Sequence, residues 1–164
     1  MRRTLLILSA VLVALAAAPL ASAGKPTQET ITGPDDSVVT GECAFPVRMH
    51  IEGVGIITTF TDRKGNVVRQ SFHFPNNKTV FTNLDTGVSL TVATTGPAFF
   101  RLDPDGTSSF EITGISPWVG HPITGARGIF LTEGRLFVTF DAGGNRTSID
   151  FNGNVVDVCA QLAS

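Results

Sequence analysis

The stretch Gly41–Gly53, GECAFPVRMHIEG, contains the first of two cysteines and the clearest strand pattern in the 164-residue sequence. Every second residue from position 45 is apolar, and a period of two places such residues on one face of a β-strand. Most of the residues between them are polar or charged and would face water. The stretch therefore predicts a half-buried strand with one apolar row: Phe45, Val47, Met49 and Ile51.

The second cysteine, Cys159, lies close to the end of the sequence. Two cysteines in an exported protein favour a disulfide, because the space outside the cell is oxidising. Neither cysteine belongs to a CxxC motif or has a histidine at ligand spacing, which disfavours a metal-binding pair. We predict a Cys43–Cys159 disulfide that makes the first and last strands neighbours, and we expect neither a metal nor a cofactor.

The N-terminus has the three regions of an export signal in the usual order. Arg2 and Arg3 precede an apolar run over residues 5–18, and Ala21-Ser22-Ala23 supplies the small residues before a cleavage site. The run is shorter than the about 20 residues that span a bilayer. We therefore predict that residues 1–23 are a signal peptide cleaved after Ala23 and that the protein is secreted.

The charge pattern limits the partners of the mature chain. The sequence has 14 acidic and 12 basic residues, without a basic cluster that would follow a phosphate backbone. No second long apolar segment and no basic amphipathic helix follow the signal. We expect no nucleic-acid partner and no membrane partner after cleavage, which leaves a small apolar ligand or an extracellular protein.

The mature chain divides into a short polar segment and one domain. Residues 24–42 are polar and contain turn formers such as Gly33 and Pro34, which predicts a flexible tether with at most a short strand. Residues 43–164 carry turn signals about every 8 to 12 residues and predict a single all-β domain. We expect an antiparallel meander of about 8 to 10 short strands. Closure into a barrel would remove the exposed edges, and a two-sheet β-sandwich is the alternative.

Turn chemistry marks the expected ends of these strands. Asp62–Asn66 and Asp141–Asn145 share the form D-x-x-G-N, which is typical of hairpin turns. Asn152-Gly153 is the strongest two-residue hairpin signal, and Gly134 predicts a further break. The last strand is predicted at Val155–Cys159, and no stretch indicates a helix of useful length.

The segment Gly114–Gly128 interrupts this rhythm with four glycines and two prolines. It holds Trp118, the only tryptophan of the sequence, and His121. Long loops on rigid β scaffolds often carry binding groups, so Trp118 and His121 are predicted to bind a ligand at a barrel mouth. The alternative is a plug, in which the apolar residues of the segment cover one open end of the core.

No catalytic residues are predicted. The sequence lacks a GxSxG serine, and His50 and His73 share the polar rows of their strands, where water would surround them. The leading hypothesis is a secreted, non-catalytic barrel protein that binds a small apolar or amphipathic ligand near residues 114–128. The alternatives are a cofactor-free barrel enzyme (isomerase, cyclase or hydrolase) and an extracellular inhibitor or adhesion module.

Several features together resemble small secreted bacterial all-β proteins of unassigned function. They are the signal peptide, the polar segment after it, GECAFPV at the first strand, the D-x-G hairpins, and DVCAQL near the C-terminus. The resemblance covers most of the mature chain. It implies an all-β fold and no particular activity, so it assigns no functional residues.

Overall fold

The computed structural model describes residues 24–164, and the predicted signal peptide lies outside this range. The described chain contains eleven strands and one short helix. No helix within residues 24–164 is long and apolar enough to cross a bilayer. The elements are β1 (Thr27–Thr32), β2 (Asp35–Val39), β3 (Val47–Glu52), β4 (Val54–Thr61), β5 (Val67–Phe74), β6 (Lys78–Asn83), β7 (Ser89–Ala93), β8 (Gly96–Leu102), β9 (Ser108–Val119), β10 (Ile129–Phe140), β11 (Arg146–Asp157) and α1 (Val158–Leu162).

The strands form two antiparallel sheets. A seven-stranded sheet has the order β1-β4-β5-β8-β9-β10-β11, and a four-stranded sheet has the order β2-β3-β6-β7. The all-β, antiparallel prediction is confirmed. The barrel prediction is replaced by its two-sheet alternative, because the chain crosses between sheets at β1–β2, β3–β4, β5–β6 and β7–β8 and the described strands do not close into one ring.

Residues 24–42 contain two strands where the sequence predicts a flexible tether. β1 pairs with β4 from Thr27 to Thr32, and β2 pairs with β3 from Asp35 to Val39. Apart from Val39, the side chains of both strands are exposed, which is why the polar composition indicates no buried element. Backbone hydrogen bonds to a neighbouring strand hold this segment, and composition does not report them.

Three glycines form a crease across the seven-stranded sheet. Gly134 of β10 lies opposite Gly114 of β9 and opposite Gly153 of β11. Their φ angles are +143°, +107° and +157°, which side chains rarely tolerate. The predicted breaks at Gly134 and at Asn152-Gly153 are therefore wrong, because these glycines bend continuous 12-residue strands and do not turn the chain.

The main core lies between the four-stranded sheet and the first residues of β10. Val47, Met49 and Phe81 face Ile129 and Leu131 across this interface. Helix α1 completes the cluster with two side chains that have no solvent exposure, Val158 and Leu162.

The C-terminal helix replaces part of the strand predicted at Val155–Cys159. Asp157 is its N-cap, and its Oδ1 accepts a hydrogen bond of 3.0 Å from the Ala160 backbone N–H. A carboxylate at this position satisfies one of the free N–H groups at the start of a helix. The helix has only five residues, too few for a clear periodic pattern in the sequence.

The predicted disulfide is confirmed. Cys43 and Cys159 are bonded, with their Cα atoms 5.4 Å apart. Cys43 precedes β3 in the four-stranded sheet, whereas Cys159 lies in α1. The bridge therefore joins the segment before β3 to the C-terminal helix, and the expectation that it makes the first and last strands neighbours is wrong.

Candidate functional site

A cavity of about 370 Å³ lies where the strands pass from one sheet to the other. Glycines line it at three of these passages (Gly33, Gly53, Gly55 and Gly96), so backbone without side chains forms part of the wall. Small-molecule sites are typically concave and mostly apolar, with volumes of about 300 to 1,000 Å³. The wall fits this description, with apolar side chains from β1, β3, β5 and β9: Ile31, Ile51, Phe74, Ile112, Ile115 and Pro117.

The cavity also has a small polar region. Thr79 and Thr94, both buried, join their hydroxyl oxygens at 3.0 Å. Each hydroxyl is both donor and acceptor, so one proton of the pair stays available for a further bond. A ligand that carries a hydroxyl or carbonyl oxygen has a partner here.

Asn77 lies beside this pair, in the bend between β5 and β6. Its backbone carbonyl accepts a 2.9 Å hydrogen bond from the Thr94 N–H, which fixes the residue in place. Its side-chain Oδ1 is buried and has no hydrogen-bond partner in the described chain. A Cβ at Gly53 would collide with this oxygen, so the glycine provides the space that the amide occupies. A buried polar atom without a partner costs about 1 to 3 kcal/mol, and such costs often occur at binding sites.

Charged groups stand at the rim of the cavity. Asp35 and Glu52 contribute to the lining, and Glu52 Oε1 lies 2.6 Å from Lys78 Nζ. The hydrogen bond from Lys78 holds the pKa of Glu52 below its ordinary value. The Glu52 side chain is 43% exposed, so this carboxylate is an ionised surface group at neutral pH.

The segment Gly114–Gly128 is more regular than predicted. β9 continues through residues 114–119, and only residues 120–128 form a loop. Pro117 is tolerated within a strand because β9 pairs only with β10 in this part, which leaves one side of its backbone free of ladder bonds.

Trp118 and His121 lie near one another but outside the cavity. The Trp118 indole N–H donates a 3.0 Å hydrogen bond to Thr132 Oγ1. His121 Nδ1 accepts hydrogen bonds from two backbone N–H groups of its own turn. Its ring packs edge-on against the Phe130 ring, with the two ring centroids 4.8 Å apart. Phe130 and Thr132 alternate with the core residues Ile129 and Leu131, so this aromatic group covers the opposite side of the sheet. Neither Trp118 nor His121 contributes to the cavity wall or to the main core cluster.

The other histidines occupy the polar faces that the sequence predicts. His73 is exposed, and the side chain of His50 is 28% exposed with Nδ1 3.0 Å from Asp36 Oδ1. Glu111 pairs with Arg135 at 2.6 Å on the outer face of the seven-stranded sheet. Within residues 24–164, no three potential ligands among His, Cys, Asp and Glu gather in a metal-binding arrangement.

Comparison of the chain with protein-family models, curated proteins and solved structures gives no significant match. The cavity and the surfaces that the fold creates are therefore the basis for a functional proposal.

The cavity residues are the part of the site that sequence reasoning missed. They come from eight strands and the bends between them, so no local motif unites them. One signal was present: glycines recur at positions where an alternating strand pattern continues on both sides, as at Gly53 and Gly55. Such glycines indicate a close backbone approach or a bend as often as a turn.

Proposed function

We propose that the protein is a secreted, non-catalytic binding protein that holds a small apolar or amphipathic molecule in the cavity between its sheets. The observation that carries the proposal is the cavity itself, with an apolar wall, a threonine pair and the unpartnered Asn77 oxygen. Its volume of about 370 Å³ corresponds to roughly 12 water molecules at about 30 Å³ each, which suits a compact ligand.

The position of the cavity supports reversible entry. Ile31 and Thr32 of β1 form part of the wall, and every side chain of β1 is exposed. β1 is an edge strand with β4 as its neighbour, so its backbone bonds hold it without support from a packed side-chain layer. Segments with few buried contacts open at low free-energy cost.

A cofactor-free enzyme is the second candidate, and the geometry favours it less. No histidine lines the cavity, and its two carboxylates, Asp35 and Glu52, stand at the solvated rim. General acid–base chemistry works best with a group whose pKa is shifted towards neutrality by burial. The pKa of Glu52 is shifted the other way. An inhibitor or adhesion role would use exposed loops and has no specific contact in its favour.

Secretion is part of the proposal. A disulfide within the described chain agrees with an oxidising compartment, and residues 1–23 have the composition of an export signal. N-terminal sequencing of the protein recovered from culture medium should begin at Gly24. Recovery of the full-length chain only from cells would contradict secretion.

The binding proposal is tested with a neutral fluorescent probe, N-phenyl-1-naphthylamine, and with variants of one strand. Ile31→Trp places a large side chain on the cavity wall, whereas Thr30→Trp places it on the other face of β1. The probe should bind the wild type with one saturable site, and Ile31→Trp should weaken it at least about tenfold, a loss of about 1.4 kcal/mol.

Thr30→Trp is the matched control, because both residues are exposed and lie on the same edge strand. It should bind the probe as the wild type does. Equal affinity in the two variants, or no saturable binding by the wild type, would remove the cavity as a binding site. Native mass spectrometry of the protein from culture medium would then identify any retained ligand directly.

A further inference from the structure

Two arginines stand directly opposite each other on the seven-stranded sheet. Arg69 of β5 and Arg101 of β8 are register partners, so their side chains share one face of the sheet. Directly opposite residues in an antiparallel pair have Cβ atoms about 4.5 to 5.5 Å apart. Like charges in this position repel each other and destabilise the pair.

Neither guanidinium has a carboxylate partner within the described residues. Three other strand residues with a basic side chain have acidic partners: Arg48 lies 2.8 Å from Asp36, Lys78 lies 2.6 Å from Glu52, and Arg135 lies 2.6 Å from Glu111. Ion pairs of Arg69 or Arg101 within 4 Å are absent from residues 24–164, and both side chains are exposed. The pair is thus a positive site without an ion-pair partner within residues 24–164.

The surroundings of the pair add an aromatic platform and hydroxyl donors. The Arg69 guanidinium carbon lies over the Phe60 ring, 3.8 Å from its centroid, a cation–π contact that favours this position of the side chain. On the other side, the register continues the same row through Ser109, Thr139 and Ser148. The row crosses six strands, and the five gaps between them, at about 4.8 Å each, give a length of roughly 24 Å.

The length of the row and the types of side chain in it indicate which class of ligand would bind. A single small anion would contact only the two guanidiniums, whereas a polymer can also reach Ser109, Thr139 and Ser148. The Thr139 and Ser148 hydroxyl oxygens are joined at 2.6 Å, and each keeps capacity for a further bond. The sequence carries a net charge of −2, which opposes broad contact with a densely charged polyphosphate or an anionic bilayer. A guanidinium binds a planar carboxylate with two parallel hydrogen bonds, and hydroxyl side chains bind sugar hydroxyls.

We propose that the row Phe60–Arg69–Arg101–Ser109–Thr139–Ser148 binds a polysaccharide that carries carboxylate groups between neutral sugar rings. One carboxylate would lie between Arg69 and Arg101, and the adjacent rings would lie along the hydroxyl row. This surface is independent of the cavity: none of its residues lines the cavity wall.

The test uses hyaluronan oligosaccharides, in which every second ring carries a carboxylate, and the same oligosaccharides after carboxyl reduction. Titration calorimetry compares the wild type with Arg69→Gln/Arg101→Gln and with Arg101→Gln, which leaves the stacked Arg69 in place. The double variant should bind at least about tenfold more weakly, because two charge-assisted hydrogen-bonding groups are lost. The single variant should lie between it and the wild type.

Arg63→Gln/Lys64→Gln is the matched control, since it removes two positive charges from the neighbouring β4–β5 turn. Its affinity should remain within about twofold of the wild type, because exposed charges at a distance are screened. Carboxyl-reduced oligosaccharides should not bind. Ile31→Trp should bind hyaluronan normally, which separates this surface from the cavity.

Four results would overturn the proposal: no binding by the wild type, unchanged binding by the double variant, an equal loss in the control, or equal binding of the reduced oligosaccharide. Tighter binding to phosphatidylglycerol vesicles or to single-stranded DNA than to hyaluronan would also overturn it, because either would identify a phosphate surface as the partner. Thermal unfolding of each variant confirms that the compared proteins are folded.

Discussion

Gly134 and Gly153 face each other across the β10–β11 ladder so closely that a Cβ on either would collide with the backbone of the opposite strand. The Cβ of residue 134 would meet the Asn152 carbonyl oxygen, and that of residue 153 would meet the Glu133 carbonyl oxygen. Both glycines have positive φ angles. The crease therefore depends on glycine for two separate reasons, backbone conformation and space.

Substitution of Gly153 by alanine should lower the free energy of unfolding by about 3 kcal/mol or more, because conformational strain and a backbone collision add. Gly144→Ala is the matched control: Gly144 also has a positive φ, of +80°, but a Cβ at this position would have open space within 4 Å. It should cost only about 1 to 2 kcal/mol. Urea unfolding of both variants measures the difference. Equal losses of unfolding free energy would show that the backbone around Gly153 shifts to accept the added Cβ.

Removal of the disulfide should destabilise the protein strongly. The bridge joins residues 116 positions apart, and the chain-entropy model gives about 4 to 5 kcal/mol for such a loop. The Cys43→Ser/Cys159→Ser variant should therefore unfold at a much lower urea concentration. Its midpoint should not change when a reductant is added, whereas the wild-type midpoint should fall. A variant as stable as the wild type would contradict this contribution of the bridge.

Asn83 should contribute to stability through bonds that tie the C-terminal helix to the β6–β7 turn. The residue is 2% exposed, donates a 3.1 Å hydrogen bond to the Leu162 carbonyl, and accepts one of 2.9 Å from the Asp85 N–H. Asn83→Ala leaves these groups without partners and should cost about 2 to 3 kcal/mol. Thr82→Ala removes an exposed hydrogen bond from the same strand and should cost less than about 0.5 kcal/mol. Similar losses would contradict a special role for Asn83.

Two turn carboxylates should make stability fall in acid. The Asn66 side-chain amide, with the Asn66 backbone N–H, holds the pKa of Asp62 below its ordinary value of 3.8. Asn145 lowers the pKa of Asp141 in the same way. Because the folded pKa values are depressed, the unfolded chain binds protons first as the pH falls. The stabilisation is present above the ordinary pKa of 3.8 and is lost as the pH falls through the folded pKa values.

The urea midpoint should thus be lower at about pH 3 than at about pH 6. Asp62→Asn/Asp141→Asn retains an acceptor oxygen at each turn but cannot titrate, so its midpoint should depend less on pH over this range. An identical pH dependence in wild type and variant would assign acid sensitivity to other groups.

The local elements were the predictable part of this fold. β3 occupies residues 47–52 with the alternation expected from Gly41–Gly53, and Asp62 and Asp141 cap hairpin turns. Each of these features is fixed by residues within a few positions of one another. The disulfide was predictable for a different reason, since only one pairing of two cysteines exists.

Long-range pairing decided what the sequence left open. Asn152-Gly153 has the composition of a hairpin turn, yet Gly153 lies within β11 because Gly134 and Gly114 align with it on neighbouring strands. β1 and β2 are exposed and have no row of buried side chains, so they can be recognised only from the strands with which they pair. The cavity has the same origin, since the residues that line it are far apart in the sequence and meet through strand order.

Helix α1 has a consequence for the order of biogenesis. Strands β2, β3, β6 and β7 are synthesised early, but Val158 and Leu162, which complete their apolar interior, are made much later. Until those residues appear, the emerging polypeptide exposes the surface that Val47 and Phe81 later bury. The native state can therefore form only after these late residues have left the ribosome. This delay suits the proposed export, in which the chain would pass unfolded through a translocation channel.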